Sequence, residues 1–442
     1  MAYKLGIRIE DTSPWERRTP LVPNDVKQLI QDLGIEVLVQ KADHRVFTHE
    51  EYRQAGTIIT DDLKNADGIF SIKEVPEHLI YPDKLYVNFA HVIKGQPYNM
   101  PKLKKYIESG CTLIDYERIV DHKDKRIVFF GNYAGLAGMI DTLWTFGDKM
   151  KKQGVDTPFS SITQALHYPS LKAAKEAVAK AGKKITQKGL PSSLVPLTCG
   201  FTGYGNVSKG AQEILDLLPF IEITPDELLT LNDRDDISHH HIYKVVFKEK
   251  DMVKPVDEQA QFQLQDYFDN PEKYQSVFSK YIPFLSMLVN AIYWTEDYPR
   301  LVTKSFVKEL YNKFGENLPL KVIGDVSCDV EGAVEITLRS TLPDNPVFTY
   351  FPSNETAIDG IYKEGISIVA NYILPAELPR EASEFFSETL KKYVEEIIKV
   401  PEASSIDSCS CSDEIKRSII VFHGKITPDY EYLTEKLEEG EN

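Results

Sequence analysis

Short apolar runs recur along the first 130 residues, at 4–9, 36–39, 68–72, 85–89, 112–116 and 126–130, with amphipathic stretches of helical character between them. Strand-length runs alternating with helices predict an α/β architecture built on a mainly parallel sheet. Residues 24–33 open just after Pro23, and 48–55 begin at a threonine suited to N-capping, so both are expected to be helices covering sheet faces. At Gly131 the texture changes to Gly-Asn-Tyr-Ala-Gly-Leu-Ala-Gly-Met and a long helical pattern through Lys151. Small residues there permit close packing, and the domain boundary is expected at that point.

A second series follows, with a strand at 194–201, a helix at 208–218 and further strands at 220–224 and 320–326. Residues 233–280 are polar and rich in charge and tyrosine, and are read as an insertion. Ala382, Phe385, Leu390, Val394 and Ile397 recur at helical spacing and predict a long helix over 377–399. A Ser/Asp-rich linker at 401–413 leads into a weak strand and helix. The expected division is a domain at 1–130, a second at 131–370 with its insertion near 233–280, a helix within 371–400, and a linker with C-terminal extension at 401–442.

A length of 442 residues suits two or three domains, and 42% apolar with 27% charged residues is ordinary for a globular protein. The excess of 67 acidic over 51 basic side chains, a net charge of −16, repels phosphate backbones and anionic lipid. Neither nucleic acid nor membrane is therefore expected as a partner, and small molecules are. The cysteines, Cys111, Cys199, Cys328, Cys409 and Cys411, show no disulfide or zinc spacing. A reducing compartment follows, the cytoplasm, or the mitochondrial matrix if a leader precedes residue 1. The first residues enter a strand pattern directly, without the regions of a signal peptide. The run His239-His240-His241 lacks accompanying ligands, and no metal is expected.

The strongest local signal is the sequence 197–215, in which a strand leads through Gly203-Tyr204-Gly205-Asn206-Val207-Ser208 into a helix. A dinucleotide fold uses this arrangement to seat a pyrophosphate on a helix N-terminus, with Gly203 making the turn, Gly205 admitting the phosphates and a small Ser208 allowing helix to pack on strand. A second constellation is dispersed: Arg18, Lys73 and Glu74 after the run 68–72, and His91 after 85–89. Parallel strands end on one edge of a sheet, so these groups are expected to converge there. Taken singly, Lys73 and Glu74 also fit a solvated loop pair, and His91 a surface or core histidine. Glu117, Arg126, Asp325 and Asp329 are further candidates that also fit ordinary ion pairs.

Ordered motifs carry a broader resemblance: Trp-Glu-Arg-Arg at 15–18, Ile-Lys at 72–73, His-Val-Ile-Lys at 91–94, Ile-Asp-Tyr-Glu at 114–117 and Phe-Gly-Asn-Tyr-Ala-Gly-Leu-Ala-Gly-Met-Ile at 130–140. Phe-Thr-Gly-Tyr-Gly-Asn-Val-Ser-Lys-Gly-Ala-Gln at 201–212, Asn-Ala-Ile-Tyr-Trp at 290–294 and Leu-Pro-Ala-Glu-Leu-Pro-Arg-Glu-Ala at 374–382 extend it. Nearly end to end, the chain resembles the lysine–ketoglutarate reductase domain of bifunctional α-aminoadipic semialdehyde synthases, and more distantly fungal saccharopine dehydrogenases and alanine dehydrogenases. The resemblance implies two Rossmann-like domains with mainly parallel sheets and a cofactor cleft between them, the helix within 371–400 returning to the first domain. It also implies condensation of L-lysine with 2-oxoglutarate and reduction to saccharopine by a nicotinamide cofactor.

In that family the residues matching Lys73 and His91 are the acid–base pair, and Arg18 matches an arginine that holds a substrate carboxylate. Saccharopine carries three carboxylates, so Lys94 and Arg126 are expected to join Arg18, which is suited to bidentate clamping. Glu74, Glu117 and Asp329 are candidates for its nitrogens, Asp329 matching an aspartate near the nicotinamide in alanine dehydrogenases. NADP is expected over NAD: the run 220–224 ends in Thr224-Pro225, a neutral edge that would not repel a 2′-phosphate, with Arg234 or Lys209 within reach. A register error of two residues would put Glu222 there and reverse the preference. A chain ending soon after the reductase region would release saccharopine without cleaving it. Another amino-acid dehydrogenase of the alanine dehydrogenase type, and a non-catalytic lysine- or nucleotide-sensing module, are the alternatives.

Overall fold

The computed structural model describes residues 2–439, which form two compact units, one of residues 2–130 with 379–439 and the other of Gly131–Leu378. The first unit is built on strands β1 (Lys4–Ile7), β2 (Glu36–Gln40), β3 (Ile58–Thr60), β4 (Gly68–Phe70), β5 (Leu85–Asn88) and β6 (Thr112–Asp115). They pair in parallel in the order β6-β5-β4-β1-β2-β3. Burial of β4, β5 and β6 along their whole length explains why they read as continuous apolar runs. The strand Ile419–Phe422 from the far end of the chain adds antiparallel to β6 and carries Lys425–Ile426 beyond it. The C-terminal segment is thus part of this sheet rather than an appendage.

Helix Pro23–Leu33 starts on a proline at its first turn and ends at Gly34, whose φ of 65° supplies the left-handed stop. Helix His49–Gln54 is closed by a reciprocal capping box between Thr48 and Glu51. Helix Pro379–Lys399 buries Ala382, Phe386, Leu390, Val394 and Ile397 on one stripe. Its Ser383 and Ser387 hydroxyls each accept a backbone N–H, from Thr19 and Val22, at 3.0 Å. These bonds fasten the loop that carries Arg18. Residues 126–130, expected as a strand, are not one: Arg126 makes only an isolated bridge to Val120.

The second unit contains β7 (Thr198–Thr202), β8 (Phe220–Glu222), β9 (Ile242–Phe247), β10 (Val253–Pro255), β11 (Tyr274–Ser276), β12 (Met287–Asn290), β13 (Val322–Asp325), β14 (Val347–Phe351), β15 (Thr356–Asp359) and β16 (Ile366–Val369). All but β10 and β11 form one sheet in the order β15-β14-β16-β13-β12-β7-β9-β8, antiparallel only at β14. The segment read as an insertion therefore supplies β9, an internal strand between β7 and β8. Helix Gly131–Lys152 lies against helix Asn206–Leu215 through glycines: a Cβ on Gly135 would fall 1.9 Å from the Val207 carbonyl oxygen, and one on Gly210 2.1 Å from that of Asn132. Among the described residues no helix is long and apolar enough to cross a membrane.

Candidate active site

Because β1, β4, β5 and β6 run parallel and adjacent, the residues that follow them leave the same edge of the first sheet. Glu10 follows β1, Lys73 and Glu74 follow β4, His91 follows β5 and Glu117 follows β6. Glu10 is 3% exposed, and its two carboxylate oxygens accept the backbone N–H groups of Ile72 at 2.6 Å and Lys73 at 2.9 Å. One side chain thus fixes the backbone beneath Lys73. His91 sits in the left-handed region at φ 53°, its ring stacked on Phe89 and its carbonyl accepting from Asn99 Nδ2 at 2.8 Å. Such a conformation costs a non-glycine residue of order 1–3 kcal/mol and collects at functional sites.

Charges alternate around this edge. His91 Nδ1 lies 3.9 Å from Glu117, which also accepts from Arg126 Nη2 at 2.8 Å. Arg18 gives its Nε and Nη2 to Glu16 at 2.7 and 2.6 Å, and its guanidinium lies 4.2 Å from the centre of the Phe130 ring. The fork expected to clamp a substrate is therefore taken by Glu16, which leaves Nη1 for a ligand. Lys94 is exposed, and among the described residues no ion pair or hydrogen bond joins it to the cluster.

Burial and the Arg18 charge hold the Lys73 ammonium below the ordinary lysine value. Burial also lowers His91, with Glu74 and Glu117 pulling the other way. The Glu10 carboxyl is pushed up to about 7 by burial and by Glu16, and Asp115 to about 7 by burial and by Glu117. Burial would raise Glu16 too, but Arg18 overcomes it and holds Glu16 below the carboxylate range. The cluster thus offers a lysine and a histidine both displaced toward their neutral forms, as proton exchange near neutrality requires. Glu10, Glu16 and Asp115 were not singled out from sequence. Glu16 lay inside the quoted Trp-Glu-Arg-Arg motif, while Glu10 and Asp115 had only their places at strand ends.

In the second unit Gly203 has φ 79° and its N–H donates to the Phe247 carbonyl at 3.0 Å. Helix Asn206–Leu215 begins at Gly205 with no side chain capping it, and nothing lies within 4 Å of where a Gly205 Cβ would stand. Uncapped helix donors beside an open glycine fit a dinucleotide pyrophosphate. Ser208 is buried and accepts from Gln212, as a small residue facing the strand should. Thr202, Asn290 and Thr337 join Asp325 in a buried network, Thr202 Oγ1 to Asn290 at 2.8 Å, Asn290 Nδ2 to Asp325 at 2.9 Å and Thr337 Oγ1 to Asp325 at 2.6 Å. Asp325 thereby ties the carboxyl ends of β7, β12 and β13 together. Asp329 is exposed just after β13.

Thr224, expected to contact the cofactor, instead caps helix Pro225–Leu229 through a capping box with Glu227. It follows β8, which is separated from β7 by β9. Glu222 lies 3.7 Å from Lys244, which also donates to Asp216 at 2.8 Å. Among the histidine run, His241 pairs with Ser238 and His240 with the carbonyls of Ile185 and Thr186. Among the described residues no group of three or more His, Cys, Asp or Glu is placed to hold a metal.

Residues 6–137 match the family model of the alanine dehydrogenase/PNT N-terminal domain. Over 97% of its length the chain is 37% identical to alpha-aminoadipic semialdehyde synthase of Arabidopsis thaliana, and over 99% it is 34% identical to the mitochondrial alpha-aminoadipic semialdehyde synthase of Mus musculus. It spans 41% and 48% of those relatives, less than half of either. A saccharopine dehydrogenase (NAD(+), L-lysine-forming) of Candida glabrata is 28% identical over 90% of this chain and 92% of its own. Among solved structures, an L-alanine dehydrogenase covers 98% of this chain and 99% of its own with a TM-score of 0.61 at 16% identity. The transhydrogenase of Sinorhizobium meliloti covers 97% of this chain and 100% of its own with a TM-score of 0.57 at 13% identity. The fold is the α/β fold of these two proteins.

Proposed function

Since residues 6–137 match the alanine dehydrogenase/PNT N-terminal domain and the chain aligns along nearly its whole length with part of the alpha-aminoadipic semialdehyde synthases, we propose that it is a lysine–2-oxoglutarate reductase. It joins the ε-amine of L-lysine to the keto carbon of 2-oxoglutarate with loss of water, and reduces the resulting imine with NADPH to saccharopine. The observation that carries this reading is the convergence of Lys73, His91, Arg18, Glu74 and Glu117 on one edge of the first unit's sheet.

The neutral His91 imidazole takes the proton that the substrate ammonium must lose before its nitrogen can attack, and Glu117 steadies the imidazolium so formed. Lys73 gives a proton to the hydroxyl that leaves as water. Arg18 Nη1 and Arg126 receive substrate carboxylates, and Glu74 stands for the substrate's nitrogen charge. The turn Gly203–Ser208 and the N-terminus of helix Asn206–Leu215 would hold the pyrophosphate of the dinucleotide. When bound, the reduced dinucleotide supplies the hydride. That no carboxylate directly ends β9, the strand beside β7, supports NADPH over NADH. The five free cysteines suit an aqueous, reducing compartment, cytoplasm or mitochondrial matrix.

The test is oxidation of NADPH, followed at 340 nm, with lysine and 2-oxoglutarate, the product identified as saccharopine by mass. Absence of turnover with that pair would sink the proposal. The fold of L-alanine dehydrogenase favours a second reading, reductive amination of a small 2-oxo acid. Turnover with pyruvate and ammonium, exceeding that with lysine and 2-oxoglutarate, would select it.

A further inference from the structure

In an α/β nucleotide fold the group that reads the adenosine ribose stands at the carboxyl end of the strand next to the glycine strand: an acid for a 2′-hydroxyl, a cation for a 2′-phosphate. Chain order would assign that place to β8, since β8 follows the glycine turn and its helix. Strand order assigns it to β9. Thr202 is in register with Phe247, and the Gly203 N–H donates to the Phe247 carbonyl. The residue that comes next, beside the first glycine of the turn, is Lys248.

Lys248 is exposed, and its Nζ lies 5.9 Å from the centre of the ring of Tyr204, the residue between the two glycines. The other charged groups here are Glu249, which faces the Tyr204 hydroxyl, and Asp251, which accepts the Lys248 backbone N–H at 2.9 Å. Three of the candidates that chain order suggested are engaged elsewhere, and the fourth, Lys209, stands on helix Asn206–Leu215 and not at the end of a strand. Glu222 is on the edge strand against Lys244, the Thr224 hydroxyl caps a helix, and Arg234 is paired through two bonds of 2.9 Å with Asp236. Lys248 is the cation at the selecting position.

We propose that Lys248 binds the 2′-phosphate of the dinucleotide and thereby makes the protein select NADPH over NADH. This rests on the reading of the second unit as a nicotinamide-dinucleotide site and adds the residue that discriminates. An ammonium over an aromatic face presents a point charge to a phosphate dianion, while a ribose with a free 2′-hydroxyl gains little from it. The contribution of one charge-assisted contact of this kind corresponds to roughly 10- to 100-fold in affinity.

The test is calorimetric titration of the full chain with adenosine 2′,5′-bisphosphate and with 5′-AMP, which needs no turnover. The parent is expected to bind the bisphosphate at least about tenfold more tightly than 5′-AMP. Lys248→Met should erase that advantage while leaving 5′-AMP affinity within about twofold, and Lys248→Arg should keep it. The kcat/KM ratio for NADPH over NADH should fall in Lys248→Met by the same factor as the binding ratio. A Lys248→Met protein that still prefers the bisphosphate overturns the assignment and leaves the dinucleotide reading intact. Equal binding of both nucleotides by the parent, with 5′-AMP weakened by Glu249→Gln, overturns it in favour of a carboxylate on the ribose. Binding of neither nucleotide removes the dinucleotide reading itself.

Discussion

Replacing Glu10 by glutamine changes one atom and should produce a stability difference whose size depends on pH. Each Glu10 oxygen accepts one backbone N–H, from Ile72 and from Lys73. A glutamine has a single acceptor oxygen, so its amide nitrogen would face one of those N–H groups, donor against donor, at a cost of about 1–3 kcal/mol. Against this stands the cost of ionising Glu10, whose carboxyl is raised by burial and by Glu16 from its ordinary 4.5 to about 7, a displacement worth about 3 kcal/mol. The folded protein holds a proton between those values that the unfolded chain releases. The stability Glu10 contributes is therefore fully present below about pH 4.5 and is lost as pH rises through about 7. Glutamine has no such dependence. Between pH 5 and pH 8 the stability gap between parent and Glu10→Gln should narrow by about 2–3 kcal/mol, and at pH 8 the variant should match or exceed the parent. Of the three tryptophans only Trp15 lies in the first unit. In a background where Trp144 and Trp294 are phenylalanine, its fluorescence during urea unfolding reads this unit alone. A gap of equal size at both pH values would mean that Glu10 ionises like a solvated carboxylate, and the reasoning would fail.

His91→Gln and Lys73→Met should each lower turnover by roughly 10²–10⁴-fold with nucleotide affinity nearly unchanged; near-parental turnover in both, at saturating substrates and optimal pH, removes them as the acid–base pair. Because burial lowers His91, the acid limb of kcat/KM should lie below the ordinary histidine value of about 6.5 and disappear in His91→Gln; an acid limb above that value would contradict the buried imidazole. Gly210→Ala places a methyl 2.1 Å from the Asn132 carbonyl oxygen, so it should destabilise the second unit by about 1–3 kcal/mol and weaken 5′-AMP binding as helix Asn206–Leu215 shifts; an unchanged melting midpoint would show that the two helices part without strain.

What could be read from the chain depended on whether a residue's role is set locally or by a distant partner. The runs that became β1, β4, β5 and β6 are continuous because both faces of those strands are covered, and Lys73 and His91 stand where such strands end. The glycine turn was legible because a strand and a helix flank it in sequence. β9 was hidden because Lys244 interrupts its apolar run: the ammonium is buried, compensated by Asp216 at 2.8 Å, a residue on another element. Without β9 in the pattern, β8 falls beside the glycine strand in chain order, and Thr224 and Glu222 stand where Lys248 belongs. Residues 126–130 form an apolar run of strand length but find no sheet partner beyond the bridge at Arg126. Glu10 carries no motif; its role exists only through contacts more than 60 residues away.

The strand Ile419–Phe422 on the outer side of β6 has a consequence for how the chain is made. The Asp115 N–H donates to the Ser418 carbonyl at 2.9 Å, and Ile114 and Leu113 stand opposite Ile419 and Val421. During synthesis residues 131–378 emerge complete while β6 still waits for that partner. At 5–20 residues per second the wait is roughly 15–60 s, long compared with the closing of most domains. Throughout it the nascent first unit presents a bare hydrogen-bonding edge, open to strand addition by another chain. A translation product that stops between residues 378 and 418 keeps that edge permanently, so premature termination should yield aggregates nucleated at β6 rather than a soluble protein with one idle unit.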